Sequence, residues 1–456
     1  MILLIQRGLR WFSGQSRLSI NRRIFAAAVT VGAFTLLVKA AALIKELVVA
    51  FRFGTSRELD ALLIAFAIPT FGISVLGGSI QAALIPTYLE TLHKKGKQAA
   101  SALLGTVSSY YLVLLLLIAV ILMVSAPWLL RIMAGGFSEQ SRLLTQHLLY
   151  WLLPVLVLTG YARLMAAVLV AENHYAISTV AAVATPIALI MSMSMFFGTL
   201  GIYSLVVGFL VGAAVEMLIL IWVSSSIGYQ PTFAWGPLSV EFHQVRIQYL
   251  PMIIGTMLMS GMIVTDQAMA ALLPAGGVSA LNYANKVPSV IMNLSSAAIG
   301  TAILPYFSRM VTAADWKGVR HVCRTYAGLI LVTCVPLTVI LILLSGAITR
   351  HLYQHGAFSA TDSQEVAYVQ ICLLIQIPFY TISILAVRLI SALKENTLLM
   401  YGAAVSLVAN AVLDYGLMQF MGVAGIALST SLVYALATIY LWLMAFRSMN
   451  KNDAGI

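Results

Sequence analysis

Ala65-Phe66-Ala67-Ile68-Pro69, closing at Ala83-Leu84-Ile85-Pro86, returns as Tyr283-Ala284-Asn285-Lys286-Val287-Pro288, closing at Ala302-Ile303-Leu304-Pro305. Both prolines move by the same 219 residues, 69 to 288 and 86 to 305, and both copies lie inside long apolar stretches. The echo continues: Arg131 through Gly136-Phe137-Ser138 answers Arg350 through Ala357-Phe358-Ser359, Glu172-Asn173 answers Glu395-Asn396, and Gly201-Ile202 answers Gly425-Ile426. The offset drifts by only a few residues, so the chain is a duplication in which neither half has gained a domain. Two such halves facing each other across a cleft are the usual plan of an alternating-access transporter, with the substrate between the repeats.

Composition places the chain in a bilayer. It is 61% hydrophobic and 9% charged, whereas soluble domains carry about 25% charged residues. A span needs about 20 apolar residues, and twelve are predicted, at roughly 24–53, 59–90, 100–126, 143–171, 176–198, 201–225, 246–273, 280–310, 322–346, 364–392, 398–419 and 423–446. The expected fold class is an all-α polytopic membrane protein of two six-helix lobes with a central cavity. Six crossings per repeat leave both copies in the same orientation, as parallel repeats.

The net charge of +11 reports topology and gives no reason to expect a nucleic-acid partner. With both termini cytoplasmic, the inner segments hold Arg7, Arg10, Arg17, Arg22, Arg23, Lys94, Lys95, Lys97, Arg246, Arg309, Lys317, Arg320, Arg324, Lys394, Arg447 and Lys451. The outer segments hold Arg52, Arg57, Arg131, Arg142 and Arg350, a bias that obeys the positive-inside rule. Residues 1–23 form a basic segment expected on the cytoplasmic headgroup surface, not a cleavable signal. The lobes are expected at 24–226 and 246–447, with a cytoplasmic linker at 227–245 and a tail at 448–456.

Cys323, Cys334 and Cys372 show no metal or disulfide spacing, and His351 and His355 read as solvated loop residues. No nucleophile-base pair, phosphate loop or ATP motif occurs, so the chain is expected to transport without catalysing a reaction, with no cofactor beyond a coupling ion.

Ionisable side chains at bilayer depth cost at least a few kcal/mol and normally face a cavity or a partner. Lys39, Lys45 and Glu46 lie on the first span, Asp60 begins the second, Asp266 lies on the seventh and Lys286 on the eighth. First and seventh spans are repeat-equivalents, as are second and eighth, so these charges are expected to meet around the central axis. Lysines around a cleft suit an anionic headgroup. The alternative is neutralised pairs, Lys45 with Glu46 or Lys286 with Asp266, that hold helices in register.

Asn410 and Asp414 are four apart on one face of the eleventh span, and Thr430 follows on the twelfth. With Asp266 they offer hard oxygens suited to sodium or to a proton on one carboxylate; the alternative is interhelical hydrogen bonding. Pro69, Gly72, Gly77, Gly78 and Pro86 predict a broken or bent second span, and Pro288, Gly300 and Pro305 a similar eighth. Arg163 and Arg388 lie close enough to the cytoplasmic ends to snorkel.

Lys45-Glu46-Leu47-Val48-Val49-Ala50 through Phe53-Gly54, then Asp60-Ala61 and Ala65-Phe66-Ala67-Ile68-Pro69, resemble the opening signature of the MurJ/MviN lipid II flippases. Tyr283-Ala284-Asn285-Lys286, Ile299-Gly300-Thr301-Ala302-Ile303-Leu304-Pro305 and Gly356-Ala357-Phe358 are similar to that family's second-half motifs. The resemblance implies the multidrug/oligosaccharidyl-lipid/polysaccharide exporter fold, with a cationic cavity receiving a lipid-linked pyrophosphoryl sugar. By the same resemblance Lys39, Lys45 and Lys286 stand where cavity arginines are common, Asp60 matches an acidic position, and Asp266, Asn410, Asp414 and Thr430 match a sodium site of some members. The chain departs at Gly72-Ile73-Ser74 and Gly77-Gly78, where the family often has paired arginines and an acid, and at Asn285 and Ser289, where acids are usual. The two further helices of many members are not expected here.

The expected activity is therefore inner-to-outer-leaflet translocation of a polyprenyl-pyrophosphate-linked sugar in the bacterial inner membrane, by a monomer, for peptidoglycan or surface polysaccharide. The alternative is a cation-coupled exporter of drugs or other amphiphiles.

Overall fold

The computed structural model describes residues 20–172, 174–229 and 239–453, with side chains from residue 34 onward except at 301, 302 and 452. Residues 1–19 of the expected surface segment, 230–238 of the linker and 454–456 of the tail lie outside the described residues. All regular structure among the described residues is helical. Lipid offers the backbone no hydrogen-bonding partner, so an apolar chain there satisfies its peptide groups within helices.

The helices run α1 Ile20–Phe53, α2 Arg57–Met133, α3 Glu139–Ala171, α4 Tyr175–Ala181, α5 Ala184–Leu200, α6 Tyr203–Ser226 and α7 Val240–Ala270. They continue with α8 Gly277–Ala284, α9 Lys286–Thr312, α10 Trp316–Tyr353, α11 Ala360–Leu374, α12 Gln376–Ala392, α13 Asn396–Met421 and α14 Val423–Asp453. Ten stretches of the described residues are long and apolar enough to cross a bilayer, counting α4 with α5, α8 with α9 and α11 with α12 as one each.

The first of the ten, α2, has 77 residues, about 115 Å at 1.5 Å per residue and nearly four times the hydrocarbon thickness. Its helical dihedrals fail at Gly96 (φ 83°, ψ 178°), within the basic run Lys94-Lys95-Gly96-Lys97. A left-handed φ favours glycine, and the charges there have no place in hydrocarbon. Around Pro69 and Pro86, where the sequence predicts a broken or bent span, α2 keeps its helical assignment and is not broken. In the second copy, α8 and α9 are separate elements divided at Asn285, three residues before Pro288, while Pro305 lies inside α9.

Side chains set the helix starts. Ser56 Oγ accepts the Leu59 N–H at 3.3 Å at the head of α2, and Ser359 and Asp362 form a reciprocal capping box on α11, at 3.1 and 2.7 Å. The described chain packs as two compact units. One comprises residues up to Val49, Ile68–Ala126 and His147–Thr256; the other comprises Ala50–Ala67, Pro127–Gln146 and Met257 onward. The first unit has a core around Leu84, Tyr88, Leu104, Leu115 and Leu164. The second has one around Phe307, Val319, Leu374, Leu385 and Leu389. Large apolar side chains such as Leu343 and Phe420 point outward, 78% and 88% exposed; on a membrane protein such surface meets acyl chains.

Candidate functional site

In the first unit, Lys39 is exposed on α1 and makes no described hydrogen bond or ion pair, while Lys45, one and two-thirds turns later, is half-buried and paired with Glu46. Six residues at 100° each place the two lysines about 120° apart around the helix, so they do not share a face. Glu216 is buried on α6, with Thr185 Oγ1 donating to its Oε2 at 3.4 Å and Arg163 as its nearby positive charge.

The same unit contains a knot of side chains that sequence reasoning leaves unmarked. The hydroxyls of Tyr88 and Tyr229 both donate to Glu172 Oε1, at 2.8 and 2.6 Å, and Lys97 Nζ stands 4.7 Å over the Tyr229 ring while donating to the Ile227 carbonyl. These contacts tie the middle of α2, beside Gly96, to the C-terminal ends of α3 and α6.

The second unit holds the remaining candidates. Asp60 is 2% exposed, and both carboxylate oxygens are engaged: Oδ2 accepts the Gly276 N–H at 2.6 Å and Oδ1 the Ser279 N–H at 2.7 Å. Gly276 is the N-cap of α8 and, lacking a side chain, cannot cap it. Asp60 supplies that cap from another helix, next to the positive end of the α8 dipole. Asp60, expected among substrate contacts, gives both oxygens to α8 and also lines a cavity. Around it, Thr55 Oγ1 donates to Asp362 Oδ1 at 2.5 Å, and Ala357 N–H donates to the Phe51 carbonyl at 2.9 Å. A Cβ at Gly54 would stand 2.5 Å from the Ala357 carbonyl oxygen, so that glycine is required by the approach of two backbones. A cavity of about 210 Å³ opens beside Asp60, lined by Arg57, Phe137, Ser138, Ser141 and Pro274. Lys286 is the first residue of α9 and half-buried.

The oxygen cluster assembles. Asn410 Nδ2 donates to Asp266 Oδ1 at 3.0 Å and to Asp414 Oδ1 at 3.4 Å, and Thr430 Oγ1 lies 3.2 Å from Asp266 Oδ2. That hydroxyl also lies 3.1 Å from the Ile426 carbonyl, and its one proton serves only one acceptor at a time. Asn410 and Asp414 are fully buried. Asn410 Oδ1, Asp414 Oδ2 and Gln267 Oε1 are buried with no hydrogen-bond partner. Unsatisfied buried acceptors beside two carboxylates fit a small hard cation or a proton.

The profile of the family described as "Lipid II flippase MurJ" matches residues 49–456, most of the chain. The chain belongs to the MurJ lipid II flippase family. A Synechocystis protein described as a probable lipid II flippase MurJ is 26% identical over 451 residues, covering 96% of this chain and 83% of that one. A Vibrio cholerae protein of the same description is 24% identical over 430 residues, covering 91% and 81%. Among solved structures, an inward closed conformation of MurJ matches with a TM-score of 0.79 at 21% identity over 93% of this chain and 90% of that one. An inward-facing multidrug-resistance MATE transporter matches at 0.76 and 13%, over 93% and 98%. The fold is thus the one shared by MurJ flippases and MATE transporters.

Sequence periodicity exposes Asn410 and Asp414 as neighbours but not the partners of Asp60. One signal for those exists in the repeat itself: residue 60 displaced by 219 is Ser279, whose N–H the carboxylate accepts.

Proposed function

We propose that this chain is a lipid II flippase, moving the lipid-linked pyrophosphoryl sugar across the bacterial inner membrane without altering it chemically. The observation that carries the reading is the family match over residues 49–456, with the MurJ fold in support. Likeness to the multidrug transporter is a likeness of fold alone and leaves drug export the weaker reading.

In this reading Lys39, Lys45 and Lys286 supply positive charge to the pyrophosphate, while Asp60 acts indirectly by fixing the start of α8. Asp266, Asn410, Asp414 and Thr430 would hold the coupling cation, sodium or a proton, whose charge offsets the two carboxylates. Such an ion biases the transporter only by its difference in affinity between conformations. Twelve crossings follow if α2 counts as two around Gly96 and α1 as one, with both termini cytoplasmic, lobes at 24–226 and 246–447, and a monomer as the working unit.

The test is reconstitution into vesicles carrying lipid II in the inner leaflet, with its arrival outside followed by an impermeant headgroup-modifying reagent. Wild type should speed the transfer and Lys286→Ala should slow it at least tenfold while inserting normally. Equal rates with and without protein would sink the proposal.

A further inference from the structure

Arg388 stands on α12 with its guanidinium laid across α9 at Gly300. A Cβ at residue 300 would lie 2.8 Å from Arg388 Nη2 and 3.4 Å from Nε, so the absence of a side chain there is what admits the guanidinium. Nε is buried and has no hydrogen-bond partner, and no ion pair to Arg388 occurs among the described residues. Arg388 is half-buried, with Nε away from solvent and the guanidinium packed against a neighbouring backbone. A buried donor without an acceptor is destabilising, and a planar fork of donors matches phosphate oxygens.

In the first half Arg163 also packs over a glycine, but with its aliphatic stem: a Cβ at Gly77 would lie 3.0 Å from Arg163 Cγ, and the 219-residue offset of this span pairs Gly77 with Ser296 and Gly300 with Gln81. Arg163 there has the carboxylate of Glu216 in electrostatic reach. Arg388 has no ion pair among the described residues, and with Nε buried its Nη groups are the donors a ligand would meet.

Gly300 follows Lys286 by 14 residues of helix, about 21 Å along the axis, and precedes Arg309 by nine, about 14 Å. One pyrophosphate cannot touch both cations. We infer that Arg388 forms a second oxyanion station on α9, nearer the cytoplasm, which takes the pyrophosphate of the lipid-linked sugar before it reaches Lys286. This rests on the flippase reading above. Bidentate capture at the inner station and looser, single-point contact at the outer one would favour onward movement, because each lysine contact is easily exchanged.

The experiment measures binding of a short-chain polyprenyl pyrophosphate, a polyprenyl monophosphate and inorganic pyrophosphate to the purified full chain in nanodiscs by native mass spectrometry. It compares wild type with Arg388→Lys, Arg388→Gln, Gly300→Ala and Lys286→Ala. Arg388→Lys and Arg388→Gln should weaken polyprenyl pyrophosphate at least tenfold and the monophosphate much less. Gly300→Ala, which improves helix propensity and so should not unfold α9, should reproduce the loss by displacing the guanidinium. Parallel losses for inorganic pyrophosphate identify the phosphates as the group read; losses confined to the polyprenyl ligands would overturn an oxyanion site. If wild type binds polyprenyl pyrophosphate and Arg388→Gln and Gly300→Ala bind it equally well, the inner station is wrong and the flippase reading stands. If wild type binds none of the phosphates, both fall.

Discussion

Asp60 and Ser279 occupy equivalent places in the two repeats, 219 residues apart, and the carboxylate of the first accepts the main-chain N–H of the second at 2.7 Å. The start of one copy's second span therefore caps the start of the other's. Asp60→Asn keeps the shape but turns an amide N–H toward a backbone N–H, leaving one buried donor unsatisfied at a cost of about 1–3 kcal/mol. Detergent-solubilised Asp60→Asn should unfold at lower temperature than wild type, and a cysteine placed at Ser279 should label faster in it. Unchanged labelling would show that the cap does not hold α8.

The oxygen cluster predicts an ion-dependent stability. A ligand that binds only the folded chain stabilises it by about 2.7 kcal/mol at a hundred times its Kd. If the cation is sodium, thermal unfolding in sodium chloride should occur at higher temperature than in choline chloride, and Asp414→Asn should remove the difference. If a proton serves instead, the salts should behave alike and the variant should change the pH dependence of transport.

Gly54 and Gly212 should reject alanine for the same reason. A Cβ at 54 would lie 2.5 Å from a carbonyl oxygen, on a backbone already at φ +55°, and at 212 it would lie 2.5 Å from the Thr185 Cα. Neither obstacle can rotate away. Losses of about 1–3 kcal/mol are expected at either, whereas Gly255→Ala, with nothing within 4 Å, should cost nothing measurable. Unfolding midpoints of the three variants check this.

At Glu172, loss of the carboxyl leaves two tyrosine hydroxyls without their acceptor. Glu172→Ala should destabilise by about 2 kcal/mol or more, while Glu172→Gln, which keeps an acceptor oxygen, should cost less than half as much. Equal losses would mean that charge, not hydrogen bonding, holds Tyr88 and Tyr229.

Much of this architecture is legible in the chain, because membrane burial writes itself as long apolar runs and duplication writes itself as Pro69 with Pro288 and Pro86 with Pro305. The four-residue step from Asn410 to Asp414 places both on one face, and they do meet. What the sequence withholds are contacts set by packing. Proline and glycine predict a broken or bent second span, and α2 is unbroken at Pro69 and Pro86. The packing of Arg388 on the bare backbone of Gly300 has no signature along the chain.

The joint of Phe51 and Gly54 with Gly356 and Ala357 is built from main chain and the Phe51 ring. Peptide groups do not titrate in the physiological range and carry no net charge for salt to screen, so the grip of this joint should be indifferent to acidity and ionic strength.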